Sequence, residues 1–245
     1  MAAPDRAARL VTQTEHFLVV DDLLPKAEQV SVWNHFQCQP FRRVEELGFQ
    51  GHWLLEDAAV LRGPSVGYAH ARDARYPTET PLDLVIARFV DLSEHFTPLL
   101  GPFGEAWDDF TAQMSLHPSG TGLVWHRDAE ENVGSYTYYA HPKWNAEWGG
   151  ELLLSDDVSI PKELGVYFHR LAKVDQAKPP AIPAHLDNDD ASELLMRRGL
   201  GFFVAPKPNR LVVIRGGTPH AIAKVRPSAG RQIRASVTGF IKRKA

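Results

Sequence analysis

Apolar positions change their rhythm part-way along this chain. Phe17-Leu18-Val19-Val20 is an unbroken apolar run closed by Asp21-Asp22, which reads as a buried strand. Beyond Leu24-Pro25, the residues Val30, Trp33 and Phe36 recur at helical spacing, and Pro25 suits a helix first turn. Residues 40–80 alternate poorly and carry many charges, so loops and short strands are expected there. Thr80-Pro81-Leu82-Asp83 is a helix start, with Thr as cap, Pro at the first position and an acid in the first turn. Leu82, Val85, Ile86, Phe89 and Phe96 follow as one stripe, ended by Pro98 and Gly101-Pro102.

From Phe110 the pattern turns to β. Strands are expected over 110–116, 135–139, 151–154, 211–214 and 234–241. Turns fall at Pro118-Ser119-Gly120-Thr121-Gly122, Pro142-Lys143-Trp144-Asn145, Trp148-Gly149-Gly150 and Gly216-Gly217. Short strands joined by Gly- and Pro-rich turns predict a mainly β, α+β chain: a barrel or sandwich with helices near its N-terminus. Residues 155–208 break the rhythm with Pro179-Pro180, Pro183 and an acidic run at 187–190. A connection that long is expected to be functional or partly folded, with short helices at 160–171 and 191–198.

The length of 245 residues fits one domain, and 44% hydrophobic residues supply a core. The net charge of −3 gives no basic footprint, so nucleic acid is not an expected partner. Cys38 is the single cysteine, which excludes an intrachain disulfide and a Cys-rich zinc site; it is expected to be buried or half-buried. With no run of 18 apolar residues and no apolar leader, no membrane partner is expected and a cytoplasmic location is.

Against that background Trp125-His126-Arg127-Asp128 stands out. On a strand His126 and Asp128 share a face while Arg127 points away. With His220, in Gly216-Gly217-Thr218-Pro219-His220, they make two imidazoles and one carboxylate. Non-haem Fe(II) oxygenases use that ligand set, which leaves positions open for substrate and O₂. Among 11 histidines a His-x-Asp arises readily by chance, so the reading depends on what accompanies it.

What accompanies it is an ordered series: His126-Arg127-Asp128; Tyr138-Tyr139-Ala140-His141-Pro142-Lys143-Trp144 leading to Trp148-Gly149-Gly150-Glu151-Leu152; Pro208-Asn209-Arg210-Leu211; Pro219-His220; and Arg234-Ala235-Ser236-Val237-Thr238-Gly239-Phe240. Over residues 108–241 the chain resembles the 2-oxoglutarate- and Fe(II)-dependent oxygenases, in particular their prolyl 4-hydroxylase-like branch. The resemblance implies a double-stranded β-helix, a jelly-roll, cupin-like barrel, over 108–241. Residues 1–107 would be helical support and early strands, and 155–208 an insertion serving as a lid or docking surface. It implies Fe(II) held by His126, Asp128 and His220, with 2-oxoglutarate and O₂ as cosubstrates. The distal carboxylate of 2-oxoglutarate would meet a basic residue after the second His. Arg231 and Arg234 both qualify, and Arg234 is favoured because it begins a strand with Ser236 and Thr238 on its face. Tyr139 is the expected hydrogen-bond donor to the same carboxylate. Ser236 and Thr238 are further candidates, Gln113 and Ser115 weaker ones, and His117 holds a place that relatives give to an active-site side chain. Related halogenases have a small residue in place of the carboxylate ligand, so Asp128 implies hydroxylation (or a desaturation or cyclisation variant) and not chlorination.

The expected activity is therefore a dioxygenase hydroxylating an unactivated C–H, with release of succinate and CO₂. A small molecule (an amino acid or natural-product intermediate) is the first substrate reading, and a peptidyl, prolyl-type substrate the alternative. A non-enzymatic metal-binding barrel would have no use for Arg234. A nucleic-acid demethylase is disfavoured by the charge balance. No oligomeric state follows from the sequence.

Overall fold

The computed structural model describes residues 8–47, 53–55, 58–155, 195–197 and 199–244. In chain order its elements are β1 (Arg9–Gln13), β2 (Phe17–Asp21), α1 (Lys26–Phe36), β3 (Arg42–Arg43), β4 (Trp53–Leu55), β5 (Leu61–Gly67), β6 (Ala74–Arg75), α2 (Leu82–Asp91), α3 (Ser93–Leu100), β7 (Trp107–His117), β8 (Thr121–His126), β9 (Asn132–Tyr139), β10 (Leu152–Leu154), β11 (Phe202–Val204), β12 (Leu211–Arg215), β13 (His220–Ile222) and β14 (Arg234–Arg243). Two sheets form. The larger runs β1-β2-β12-β9-β14-β7-β5-β3, with β6 beside β5; the smaller runs β11-β10-β13-β8-β4. Apart from the parallel β5–β6 pair, the ladders are antiparallel, as the double-stranded β-helix requires.

Side-chain alternation splits the larger sheet into two different faces. On β14, Ala235, Val237 and Ile241 join Met114, Tyr138 and Leu211 against the helices. Phe89 of α2 is the hub of that core, 4.4 Å from the Tyr136 ring and 4.8 Å from that of Phe110. Burying such a ring contributes roughly 1.5–3 kcal/mol. The other face turns toward the smaller sheet. There Phe17, Val19, Tyr139, Val212 and Ile214 pack against Leu152, Leu154 and Val204, and Phe17 meets Phe202 edge to face at 5.3 Å. The same inward face carries Arg234 and Ser236, both wholly buried.

Several local expectations are corrected. The stripe after residue 80 forms two helices, not one: α2 ends at Asp91 with Leu92 as its cap, and Pro98 lies inside α3, which Gly101 closes at φ +82°. Thr80 does not cap α2. Asp83 instead reaches back to the amides of Thr78 and Glu79 and to the Thr78 hydroxyl. On α1 the buried positions are Gln29, Val32 and Phe36, and Val30 is exposed. Cys38 is exposed, because it follows the last turn of α1 at the surface. β8 ends at His126, so Asp128 sits just beyond the strand and not on it. The helix expected at 160–171 lies outside the described residues. Of that expected at 191–198, positions 195–197 are helical. Among the described residues no helix is long and apolar enough to cross a membrane.

Candidate active site

The antiparallel pairing of β8 with β13 sets His126 directly opposite His220. Partners across a ladder share a face, so both imidazoles enter the barrel, their rings 4.3 Å apart. Asp128 follows two residues after His126 and turns its carboxylate toward both. Its Oδ1 is 3.9 Å from each Nε2. One ligand atom from each residue lies within 4.8 Å of the others, which is the spacing of donors around a single ion. All three side chains are under a tenth exposed.

The two histidines are oriented identically. His126 Nδ1 lies 2.9 Å from the carbonyl of Val124, and His220 Nδ1 lies 2.9 Å from that of Thr218. A carbonyl can only accept, so each Nδ1 carries the proton and each Nε2 presents its lone pair to the shared centre. Metal-binding histidines are commonly oriented through the second nitrogen in this way. The ligand set of two neutral imidazoles and one carboxylate suits Fe(II).

Deeper in the barrel, three adjacent strands supply a second cluster. Register places Arg234 opposite His117 on β7, and Ser236 opposite Ser115 on β7 and Tyr139 on β9. Arg234 is 0% exposed. Its Nε donates to the Gly150 carbonyl at 2.9 Å, and its Nη2 reaches the Tyr139 hydroxyl oxygen at 3.5 Å. Its guanidinium carbon lies 4.9 Å from the centre of the Tyr139 ring. Arg234 Nη1, Ser115 Oγ and Ser236 Oγ are buried with no hydrogen-bond partner among the described residues. Leaving a buried polar group unpaired costs on the order of 1–3 kcal/mol, so such a convergence of donors marks a place for an acceptor. A carboxylate, with about four lone-pair sites, fits it. The residues present therefore suit both the metal and the distal end of 2-oxoglutarate.

Arg231 is in the turn before β14 and exposed, whereas Arg234 is inside. Thr238 is on the Arg234 face but only half-buried, and its hydroxyl lies 3.5 Å from the Gln113 carbonyl. His117 is buried and not a surface turn residue. Burial, then the charges of Arg234 and Arg62, hold its pKa well below the usual histidine range, so it is neutral. Arg62 is the residue sequence reasoning missed. Register with Ser115 puts it on the same face as the cluster, its Nη1 donates to Gln113 Oε1 at 2.7 Å, and Gln113 Nε2 donates to the Gly63 carbonyl. Burial brings the Arg62 pKa down to about 10, which leaves it a cation at neutral pH. It lies on β5, in the charged stretch without alternation, where a single Arg gives no pattern to detect.

Comparison with known proteins agrees with this geometry. The profile of the 2OG-Fe(II) oxygenase superfamily matches residues 112–242. The chain belongs to that superfamily, whose members use Fe(II), 2-oxoglutarate and O₂, and it is accordingly an oxygenase. Among solved structures it is similar to a Pseudomonas putida prolyl-4-hydroxylase, at 15% identity and TM-score 0.57, over 94% of this chain and 93% of that one. It is equally similar, at 14% identity and TM-score 0.57, to a Trichoplax adhaerens prolyl hydroxylase in complex with a hypoxia inducible factor peptide fragment, over 94% and 84% of the two chains. A Burkholderia pseudomallei oxidoreductase of the 2OG-Fe(II) oxygenase family matches at 11% identity and TM-score 0.51, over 92% and 85%. No curated protein matches.

Proposed function

We propose that this oxygenase hydroxylates a side chain of a peptide or protein, with Fe(II) held by His126, Asp128 and His220. The observation that carries the catalytic reading is the pairing of two features in one barrel: three converging ligand atoms and a buried cluster of donors around Arg234. Arg234, Tyr139, Ser236 and Ser115 receive the distal carboxylate of 2-oxoglutarate, and Thr238 lines the same face. The bound iron supplies oxidative decarboxylation of 2-oxoglutarate coupled to hydroxylation of a C–H bond. The chain's own part is to keep two Nε2 lone pairs and one carboxylate oxygen on one side of that ion. It would also hold the cosubstrate by its far end, beside Tyr139, which packs with the apolar side chains of Leu154, Val212 and Ile214. Because Asp128 fills the carboxylate position, hydroxylation is the expected outcome.

The choice of a peptidyl substrate departs from the small-molecule reading that the sequence favoured. One observation supports it: solved structures with a similar fold include prolyl hydroxylases, one of them in complex with a peptide fragment. Succinate release in the presence of Fe(II) and 2-oxoglutarate tests the proposal. Stimulation by proline-containing peptides and not by free amino acids is expected; stimulation by free amino acids alone restores the small-molecule reading. Absence of the weak visible charge-transfer band on anaerobic addition of Fe(II) and 2-oxoglutarate removes both.

A further inference from the structure

The segment Trp144 to Gly150 has no part in the reaction as described so far, yet its Gly150 carbonyl accepts a hydrogen bond from Arg234 Nε. Gly149 and Gly150 both have positive φ, +73° and +74°. Gly149, at ψ −154°, is in a region essentially confined to glycine. The turn is pinned from several sides. Trp144 Nε1 donates to the Gly149 carbonyl at 2.9 Å, and Arg226 N donates to the Trp148 carbonyl at 2.8 Å. Trp144 packs edge to face on Trp148 at 5.4 Å and lies 4.8 Å from the His141 ring. The result is that the Gly150 carbonyl points inward and accepts Arg234 Nε.

This bond decides which way the guanidinium presents its fork. The group is planar, so the bond from Nε fixes its plane and with it the directions of Nη1 and Nη2; Nη2 reaches Tyr139, and Nη1 has no partner among the described residues. There is no slack beside it. A Cβ on Gly150 would stand 2.8 Å from Arg234 Cδ, 3.4 Å from Val225 Cγ2 and 3.5 Å from Trp144 Cζ2. Any side chain at 150 pushes the arginine stem.

We infer that Gly150, held by Trp144 through Gly149, is a positioning residue that aims Arg234 and so sets the preference for a 2-oxo acid with a distal carboxylate. The inference rests on the 2-oxoglutarate reading above. Its signature is selectivity: a mis-aimed guanidinium weakens only ligands that have the distal carboxylate.

The test measures binding of 2-oxoglutarate and of 2-oxopentanoate, which has the same carbon chain without the distal carboxylate, to the full-length Mn(II)-loaded protein. Titration calorimetry reads both. The wild type is expected to prefer 2-oxoglutarate strongly; if it binds neither, the functional reading itself fails. Gly150→Ala should weaken 2-oxoglutarate at least tenfold while changing 2-oxopentanoate by less than twofold. In turnover KM for 2-oxoglutarate should rise by far more than kcat falls. Trp144→Phe keeps the ring packing but loses the N–H, and should weaken 2-oxoglutarate about threefold with the same selectivity. It serves where Gly150→Ala does not fold. Equal weakening of both ligands, or no weakening of either in a folded variant, overturns the inference.

Discussion

Ser115 and Ser236 stand opposite each other across the β7–β14 ladder, both 0% exposed, and neither hydroxyl has a hydrogen-bond partner among the described residues. Unsatisfied buried hydroxyls lower stability when the cavity is empty and raise affinity when an acceptor fills it. Ser236→Ala and Ser115→Ala should therefore leave the melting temperature of the cosubstrate-free protein unchanged or slightly higher. Each should raise the KM for 2-oxoglutarate by about tenfold, the order expected for one bond to a charged group. Thermal melts with and without 2-oxoglutarate, beside initial rates, separate the two effects. A lower melting point without 2-oxoglutarate and an unchanged KM would make the serines ordinary core residues.

Arg234 and Arg231 provide a sharper contrast, since only three positions separate a buried cation from an exposed one. Arg234→Ala removes two candidate charge-assisted bonds, and 2-oxoglutarate affinity should fall about a hundredfold or more. Arg231→Ala should stay within about twofold. A steady-state titration of 2-oxoglutarate against both variants checks this, and a reversed order would mean that the cosubstrate enters from another side of the barrel.

That contrast also shows why the site was legible before the fold was known. Arg234, Ser236 and Thr238 alternate on a strand long enough to fix its own register, and the turn ahead of it leaves Arg231 outside. His220 follows a buried apolar strand and a Gly-Gly turn. Short-range patterns fixed these placements. The lower strands β3 to β6 were not legible individually. They are two to seven residues long; β4 and β5 pair with the sequence-distant β8 and β7, and β3 and β6 pair with β5. Arg62 entered the barrel unnoticed for that reason. The break at Leu92, which follows α2 and precedes α3 at φ −92° and ψ 3°, leaves no mark on a stripe that would suit one continuous helix. Val30 and Cys38 show the same limit: spacing gives a face, but only the packed neighbours say which side of it is covered.

The metal centre makes a separate prediction. Fe(II) must compete with protons for both Nε2 atoms, so metal affinity should fall as the solution is made acidic. His126→Ala or His220→Ala should lower Mn(II) affinity by at least about a hundredfold in calorimetric titration. Asp128→Ala should abolish succinate formation. An Asp128→Ala protein as active as the wild type would remove Asp128 from the ligand set.

Asp21 should govern acid stability away from the site. Its side chain is 3% exposed and takes Arg210 Nε at 2.7 Å and Lys207 Nζ at 2.7 Å, tying β2 to the loop before β12. Burial alone would raise its pKa. The hydrogen bonds from Arg210 and Lys207 and their charges outweigh burial, so the pKa lies below the usual carboxylate value. A carboxylate depressed in the folded state stabilises fully above its unfolded pKa, near 3.9, and loses that contribution as pH falls through the folded value. Asp21→Asn should then cost about 3 kcal/mol at pH 7, the order found when one partner of a buried pair is removed. The gap between wild type and variant should stay constant from about pH 5 to 8 and close below about pH 4. Denaturant unfolding at a series of pH values measures it. A gap that widens in acid would mean that Asp21 is protonated in the native protein and that Arg210 and Lys207 are held by other groups.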